Sequence, residues 1–303
     1  MVGIPVADLA SPRGRSSAAD VAGRHLAAVP EEPTRPPLTV VYGGGLQFGI
    51  AYGLGVADAL LEVGVPLRHV DALGVSAGSW VAACLATGVT LEVLGEIPQV
   101  RVPDPRPGAL RRIARAVFGS AMDARVRVAA VQLPTLRRRI LSGARFPLAD
   151  LVAASSSVPG VFAPSPVGRG LYIDGMARRG MGADQAPAAH HLLVVAPLAG
   201  PMFGPGGRLL ELLQVQELRR WARSTGGSVH LIRPNRAIAR LVRHPLDLLD
   251  QRRASREVYP MAFEQTIQLL GARPALAGLA AADWPGKRTV SPLPAGDLLR
   301  ASS

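Results

Sequence analysis

Two stretches decide the fold: Leu38-Thr39-Val40-Val41-Tyr42-Gly43-Gly44-Gly45, and after it His69-Val70-Asp71-Ala72-Leu73-Gly74-Val75-Ser76-Ala77-Gly78. Each is a short, mostly apolar run that breaks into glycine and is followed by a small, apolar stretch of helical length. The first of these helices is expected over Ile50 to Val63, stopped by Gly64, and the second from Ser76 to about Thr87, stopped by Gly88. Strand, helix, strand, helix at this spacing implies parallel strands with crossover helices. The expected architecture is therefore a three-layer α/β/α fold with a mostly parallel central sheet. Its site should lie beyond the carboxyl ends of the first two strands.

Further along, Val126 to Leu133 and Arg137 to Leu141 read as a hairpin around Pro134, and Pro147 to Ser155 as a helix. Val158-Pro159-Gly160 reads as a tight turn, and Leu171 to Ile173 as a strand that runs into Asp174-Gly175. Leu192 to Pro197 and Val229 to Ile232 are expected to be buried strands, and Leu209 to Arg223 and Pro260 to Gly271 helices. Residues 1–37, rich in Ala, Pro, Arg and Ser, read as a mobile arm, 38–283 as one catalytic-sized domain, and 284–303 as an irregular tail.

Of the 303 residues, 48% are hydrophobic but only 4% aromatic, so the core has to be built from Ala, Val and Leu. The net charge of +12 is carried almost wholly by arginine: Lys287 is the only lysine, and Asn235 the only asparagine. That bias reads as GC-rich coding, which accounts for part of the basic excess. Residues 101–145 hold eleven arginines against Asp104 and Asp123, a local balance of +9. Within them Leu110, Ile113, Ala114, Val117 and Phe118 repeat at helical spacing with Arg111, Arg112 and Arg115 largely opposite, the form of a basic helix lying on an anionic membrane surface. No helix-turn-helix pattern, zinc-ligand spacing or aromatic–basic interleaving is present, so neither nucleic acid nor a metal is expected. The single cysteine, Cys84, excludes a disulfide framework and reads as a small buried hydrophobe. With no signal-peptide pattern and no apolar run of about 18 residues, the expectation is a cytoplasmic protein that touches membranes peripherally.

Gly74-Val75-Ser76-Ala77-Gly78 fits G-x-S-x-G between a strand and a helix. A nucleophilic serine is well served by a sharp strand-to-helix turn, which crowds its neighbours and so demands glycine on either side. The helix start supplies N–H groups for a developing oxyanion. The same five residues also suit a tight βα turn without chemistry. Gly43-Gly44-Gly45 can point N–H groups at an anion, yet no Gly-Lys-Ser/Thr follows to make a nucleotide P-loop, and a Rossmann reading lacks its acidic residue. Asp174 with Gly175 at a strand end is either a turn residue or a group aimed at a cleft.

Taken in order, Gly43-Gly44-Gly45, Gly74-Val75-Ser76-Ala77-Gly78, Ser157-Val158-Pro159-Gly160-Val161-Phe162 and Tyr172-Ile173-Asp174-Gly175 resemble the patatin-like phospholipase family over roughly residues 38–200. The resemblance implies a cofactor-free serine hydrolase that cleaves fatty-acyl esters of phospholipids or neutral lipids. Ser76 would be the nucleophile, Asp174 the base, and Gly43, Gly44 and Gly45 the oxyanion loop. The chain departs from that pattern at Gln47, where a basic residue is expected, at Phe48, which delays the next glycine by one place, and at Met176, where a small residue is expected. Two other readings stand beside it. One is an α/β-hydrolase with a Ser–Asp–His triad completed by His230 or His244, and the other a lipid-binding relative that does not catalyse.

Overall fold

The computed structural model describes residues 35–96, 102–178, 180–200 and 204–281. Nearly all of the expected N-terminal arm, with His25, and the expected C-terminal tail lie outside these residues. The described chain is a mixed α/β structure with helices on both faces of one sheet.

In chain order the elements are β1 (Leu38–Tyr42), α1 (Leu46–Glu62), β2 (Asp71–Val75), α2 (Ala77–Thr87), α3 (Leu91–Glu96) and α4 (Ala109–Phe118). Then come β3 (Val126–Leu133), β4 (Arg137–Ser142), α5 (Leu148–Ser155), β5 (Ser165–Val167), β6 (Gly170–Asp174) and β7 (His191–Val195). The chain continues through α6 (Gly204–Thr225), β8 (Ser228–Ile232), α7 (Arg236–Ala239), α8 (Gln251–Arg253), α9 (Tyr259–Ala272) and α10 (Pro274–Ala281). The strands are ordered β5-β6-β3-β2-β1-β7-β8, with β4 paired to the free side of β3. From β3 to β8 every neighbour along this order is parallel, whereas β4, β5 and β6 are antiparallel additions at one end. The sheet is mostly parallel, as expected, but its antiparallel end matters most for the site.

Alternation along the strands explains the two layers. Val40, Tyr42, Leu193 and Val195 face a large core shared with α1, α2, α4, α5 and α9, while Val41, Leu73, Val75, Leu192 and Val194 face a smaller one closed by Trp221 and Leu218 of α6. Helix α1 begins four residues before the Ile50 that its apolar run suggests, directly at the glycine loop, because nearly all of it is buried and no polar face marks its start. Gly55 inside it is a packing contact: a Cβ there would lie 2.5 Å from the Tyr259 carbonyl oxygen of α9. Cys84 is buried, as its sequence context suggests.

Two expectations need correction. His69 falls in a turn ahead of β2 rather than in the strand. The helix at 109–118 exists, but its apolar stripe is not free to enter a bilayer. Leu110, Ala114 and Phe118 are buried in the core, Ile113 and Val117 pack against it, and Arg111 donates two hydrogen bonds of 2.6 and 2.7 Å to Asp150 of α5. Of the eleven arginines at 101–145, Arg106, Arg111, Arg115, Arg125, Arg127 and Arg138 are ion-paired with carboxylates. Much of the basic excess there therefore holds the fold together. Among the described residues no helix is long and apolar enough to cross a membrane.

Candidate active site

The register of β3 brings the site together. β4 occupies one edge of β3 from Arg127 to Gln132. The opposite edge is shared: β2 runs parallel along its first half, ending with Val75 opposite Ala129, and β6 runs antiparallel along its second half, ending with Asp174 opposite Ala130. The carboxyl ends of β2 and β6 thus approach each other head-on across one peptide of β3. Ser76 follows the first strand and Asp174 ends the second. Gly175 completes the junction, since a Cβ there would lie 2.7 Å from Val75 Cγ2.

Ser76 adopts φ 52° and ψ −123°, a conformation that non-glycine residues rarely hold. The turn reverses the chain so tightly that a Cβ on Gly74 would lie 2.5 Å from the Gly78 carbonyl oxygen, and one on Gly78 would collide with the Tyr42 carbonyl oxygen. Neither obstacle is the yielding end of a side chain. Gly78→Ala is therefore expected to cost on the order of 2–3 kcal/mol, read as a lower urea midpoint. An unchanged midpoint would mean that the close approach of α2 to β1 is not required.

Three consecutive serines at the end of α5 hold both halves of the site. Ser155 Oγ accepts the Ser76 N–H at 2.9 Å and donates to the Ala129 carbonyl at 2.8 Å. Ser156 Oγ donates to the Ser76 carbonyl at 3.1 Å and accepts from Trp80 Nε1 at 3.2 Å. The Ser157 carbonyl accepts the Asp174 N–H at 2.9 Å. Sequence reasoning missed Ser155 and Ser156. The only signal was a polar run at the end of an otherwise apolar helix, and a helix end is an ordinary place for serine.

Asp174 is 2% exposed. Its Oδ1 accepts the Met176 N–H at 2.7 Å, while Oδ2 is buried without a hydrogen-bond partner. Burial raises its pKa to about 6, against the pull of the Ser76 hydroxyl and the Met176 N–H towards the charged form. The hydroxyl is near enough to exert that pull, yet no aligned hydrogen bond joins it to Oδ2.

No family model matches the chain, and no curated protein sequence matches it. Among solved structures, VipD from Legionella pneumophila is similar at 14% identity and a TM-score of 0.41, covering 78% of this chain and 67% of that one. The heterodimeric ExoU–SpcU complex from the type III secretion system of Pseudomonas aeruginosa is similar at 17% identity and a TM-score of 0.34, covering 82% of this chain and 57% of that one. The chemistry of the site rests on its geometry.

The glycine loop closes the third side. A Cβ on Gly44 would lie 3.1 Å from Ser76 Cβ and 3.1 Å from Met176 Cγ, which puts this residue against the serine and under Met176. The Gly43 N–H is committed to the Val195 carbonyl at 2.8 Å, whereas those of Gly44 and Gly45 have no partner among the described residues. Of the departures from the family pattern, Phe48 is buried and stacked on Tyr52. Gln47 instead lines a cavity of about 160 Å³ that opens on Ser76 and Ala77, with Ile50, Trp80, Leu110, Ile113 and Phe162 as its apolar walls. Among the described residues no histidine lines this cavity or bonds to Asp174. His230 lies in β8, three strands from β2, or roughly 14 Å at the usual strand spacing, and its ring contacts His191. His244 is exposed ahead of Pro245. Among the described residues no cluster of His, Cys, Asp and Glu could hold a metal ion.

Proposed function

We propose that this chain is a patatin-like serine hydrolase that cleaves fatty-acyl esters, with Ser76 as nucleophile and Asp174 as its base. The observation that carries this reading is the head-on meeting of β2 and β6 across β3. It sets a strained, glycine-flanked serine beside a buried carboxylate with a free oxygen, at the wall of an apolar cavity. Asp174 takes the hydroxyl proton as Ser76 attacks the ester carbonyl and passes it to the departing alcohol as the ester C–O bond breaks. It then takes a proton from water, which attacks the acyl-enzyme, and returns that proton to Ser76 as the fatty acid leaves. The N–H groups of Gly44 and Gly45, with that of Ala77 after the serine, stabilise the oxyanion. Gly43 shapes the loop and does not donate, because its N–H belongs to the sheet. The acyl chain occupies the cavity under α4. A Ser–Asp–His triad is disfavoured by the placement of His230 and His244.

A serine-directed fluorophosphonate should label the protein once, at Ser76, and a panel of phospholipid, triacylglycerol and short-chain esters should reveal turnover. A folded protein that neither reacts nor turns over any ester would remove the enzymatic reading. The cavity gives a second expectation. Ile113→Trp, which fills its wall from α4, should lower kcat/KM for long acyl chains by about tenfold or more while sparing short ones, in line with the free energy at stake for a methylene or two in an apolar pocket. Equal losses for all chain lengths would place the acyl group elsewhere.

A further inference from the structure

A second cavity, of about 1130 Å³, opens beyond the carboxyl ends of β7 and β8. Its lining includes Arg233 after β8, Arg236 on α7, Arg240 and Arg243 in the turn that follows, and Arg273 between α9 and α10, against one acid, Glu211 of α6. Glu211 is paired with Arg233. The guanidinium groups of Arg236, Arg240 and Arg243 form no ion pair among the described residues, although the Arg243 backbone N–H donates to Asp247 Oδ2 at 2.8 Å, and the Arg273 guanidinium donates to the Leu231 carbonyl at 3.4 Å. This differs from 101–145, where six of the eleven arginines are ion-paired with neighbouring acids. Here five exposed arginines line one concavity, which gives it a positive field that attracts anions.

The floor of this basin is built. Gln265, 5% exposed, accepts the Asn235 N–H at 2.7 Å through Oε1. Its Nε2 donates to the Arg233 carbonyl and to the Tyr52 hydroxyl of α1, each at 3.0 Å. A buried amide therefore pins the corner from which the arginines project. Among the described residues no aromatic side chain lines the basin to stack a nucleobase. Guanidinium forks match phosphate oxygens two at a time. We propose that this basin is a binding site for a multiply charged phosphate group, separate from the Ser76 cavity but on the same carboxyl edge of the sheet. The site does not depend on the hydrolase reading.

The test uses the full chain carrying Ser76→Ala, so that hydrolysis plays no part. Inorganic pyrophosphate is titrated by calorimetry, and phosphatidylcholine vesicles with and without phosphatidic acid are tested by cosedimentation. Binding to at least one phosphate probe is expected, weakening with salt. It should fall by about tenfold or more in Arg240→Gln/Arg243→Gln and persist in Arg137→Gln/Arg139→Gln, which removes the same charge from the β3–β4 hairpin. Binding of pyrophosphate alone identifies a free phosphate compound as the ligand, and binding of the vesicles alone a lipid headgroup. The proposal is overturned if neither probe binds, if the two double variants lose binding equally, or if a nucleic-acid duplex binds through Arg240 and Arg243 while both phosphate probes do not.

Discussion

Ser76→Ala should reduce ester hydrolysis by at least about a thousandfold, the scale on which removal of a catalytic nucleophile is felt, and should leave the fold intact. The second half follows from what Ser76 does structurally. Its anchors are backbone groups: the N–H is held by Ser155 Oγ, and the carbonyl by Ser79 Oγ at 2.6 Å and by Ser156 Oγ. Its own hydroxyl makes no aligned hydrogen bond among the described residues. Alanine keeps every anchor and bears the same strain at φ 52°. Ser76→Gly separates strain from chemistry. Glycine tolerates this conformation, so the variant should be more stable by about 1 kcal/mol and equally inactive. Turnover by either variant near the wild-type rate, measured on purified protein with the same ester, would take the nucleophile away from Ser76.

The first half of the site was legible because backbone geometry leaves few choices. A strand that turns into a helix within one residue, against the end of a neighbouring strand, has room only for glycine at 74 and 78, and this steric demand is written in the residue types themselves. The second half is legible only through the family resemblance and not from its residues alone. Asp174 sits at a strand end like many turn aspartates, and only the register of β6 on β3, set by pairs such as Val131 with Ile173, aims it at Ser76. Pairing across some forty residues leaves no local trace. The same holds for Ser155 and Ser156, whose partners lie nearly eighty residues away. The amphipathic pattern of α4 makes the helix legible but not the surroundings of its apolar stripe, which packs on the core. Periodicity reveals that a face is apolar without revealing what covers it, and here the core does. Composition likewise counts arginines but not their partners. Six of the eleven arginines at 101–145 are ion-paired, while the group around Arg240, in which only Arg233 is ion-paired, has members scattered between β8 and α10 and leaves no local signal in the sequence.

Asp174→Asn should abolish acylation while making the protein more stable at neutral pH, and the pairing of those two effects distinguishes a buried base from a structural carboxylate. In the wild type, burial raises the Asp174 pKa from an ordinary 3.8 to about 6. The folded state thus holds the proton more tightly than the unfolded state between about pH 4 and pH 6. Stability falls as pH rises through that window, and the full cost is in place above it. The size of the shift corresponds to about 3 kcal/mol. Asparagine never ionises, so the variant should unfold at a higher urea concentration than the wild type at pH 7 to 8, with the gain shrinking to nothing below about pH 4. Activity should run the other way. The wild-type rate should rise with pH through an apparent pKa near 6 as the carboxylate forms, and the variant should lack both the limb and the rate. His230→Gln and His244→Gln should each remain within a few-fold of wild type, whereas loss of a triad histidine costs several orders of magnitude. If Asp174→Asn turns over ester at the wild-type rate, or if its stability advantage is the same at pH 4 as at pH 8, then Asp174 is not the buried base of this site.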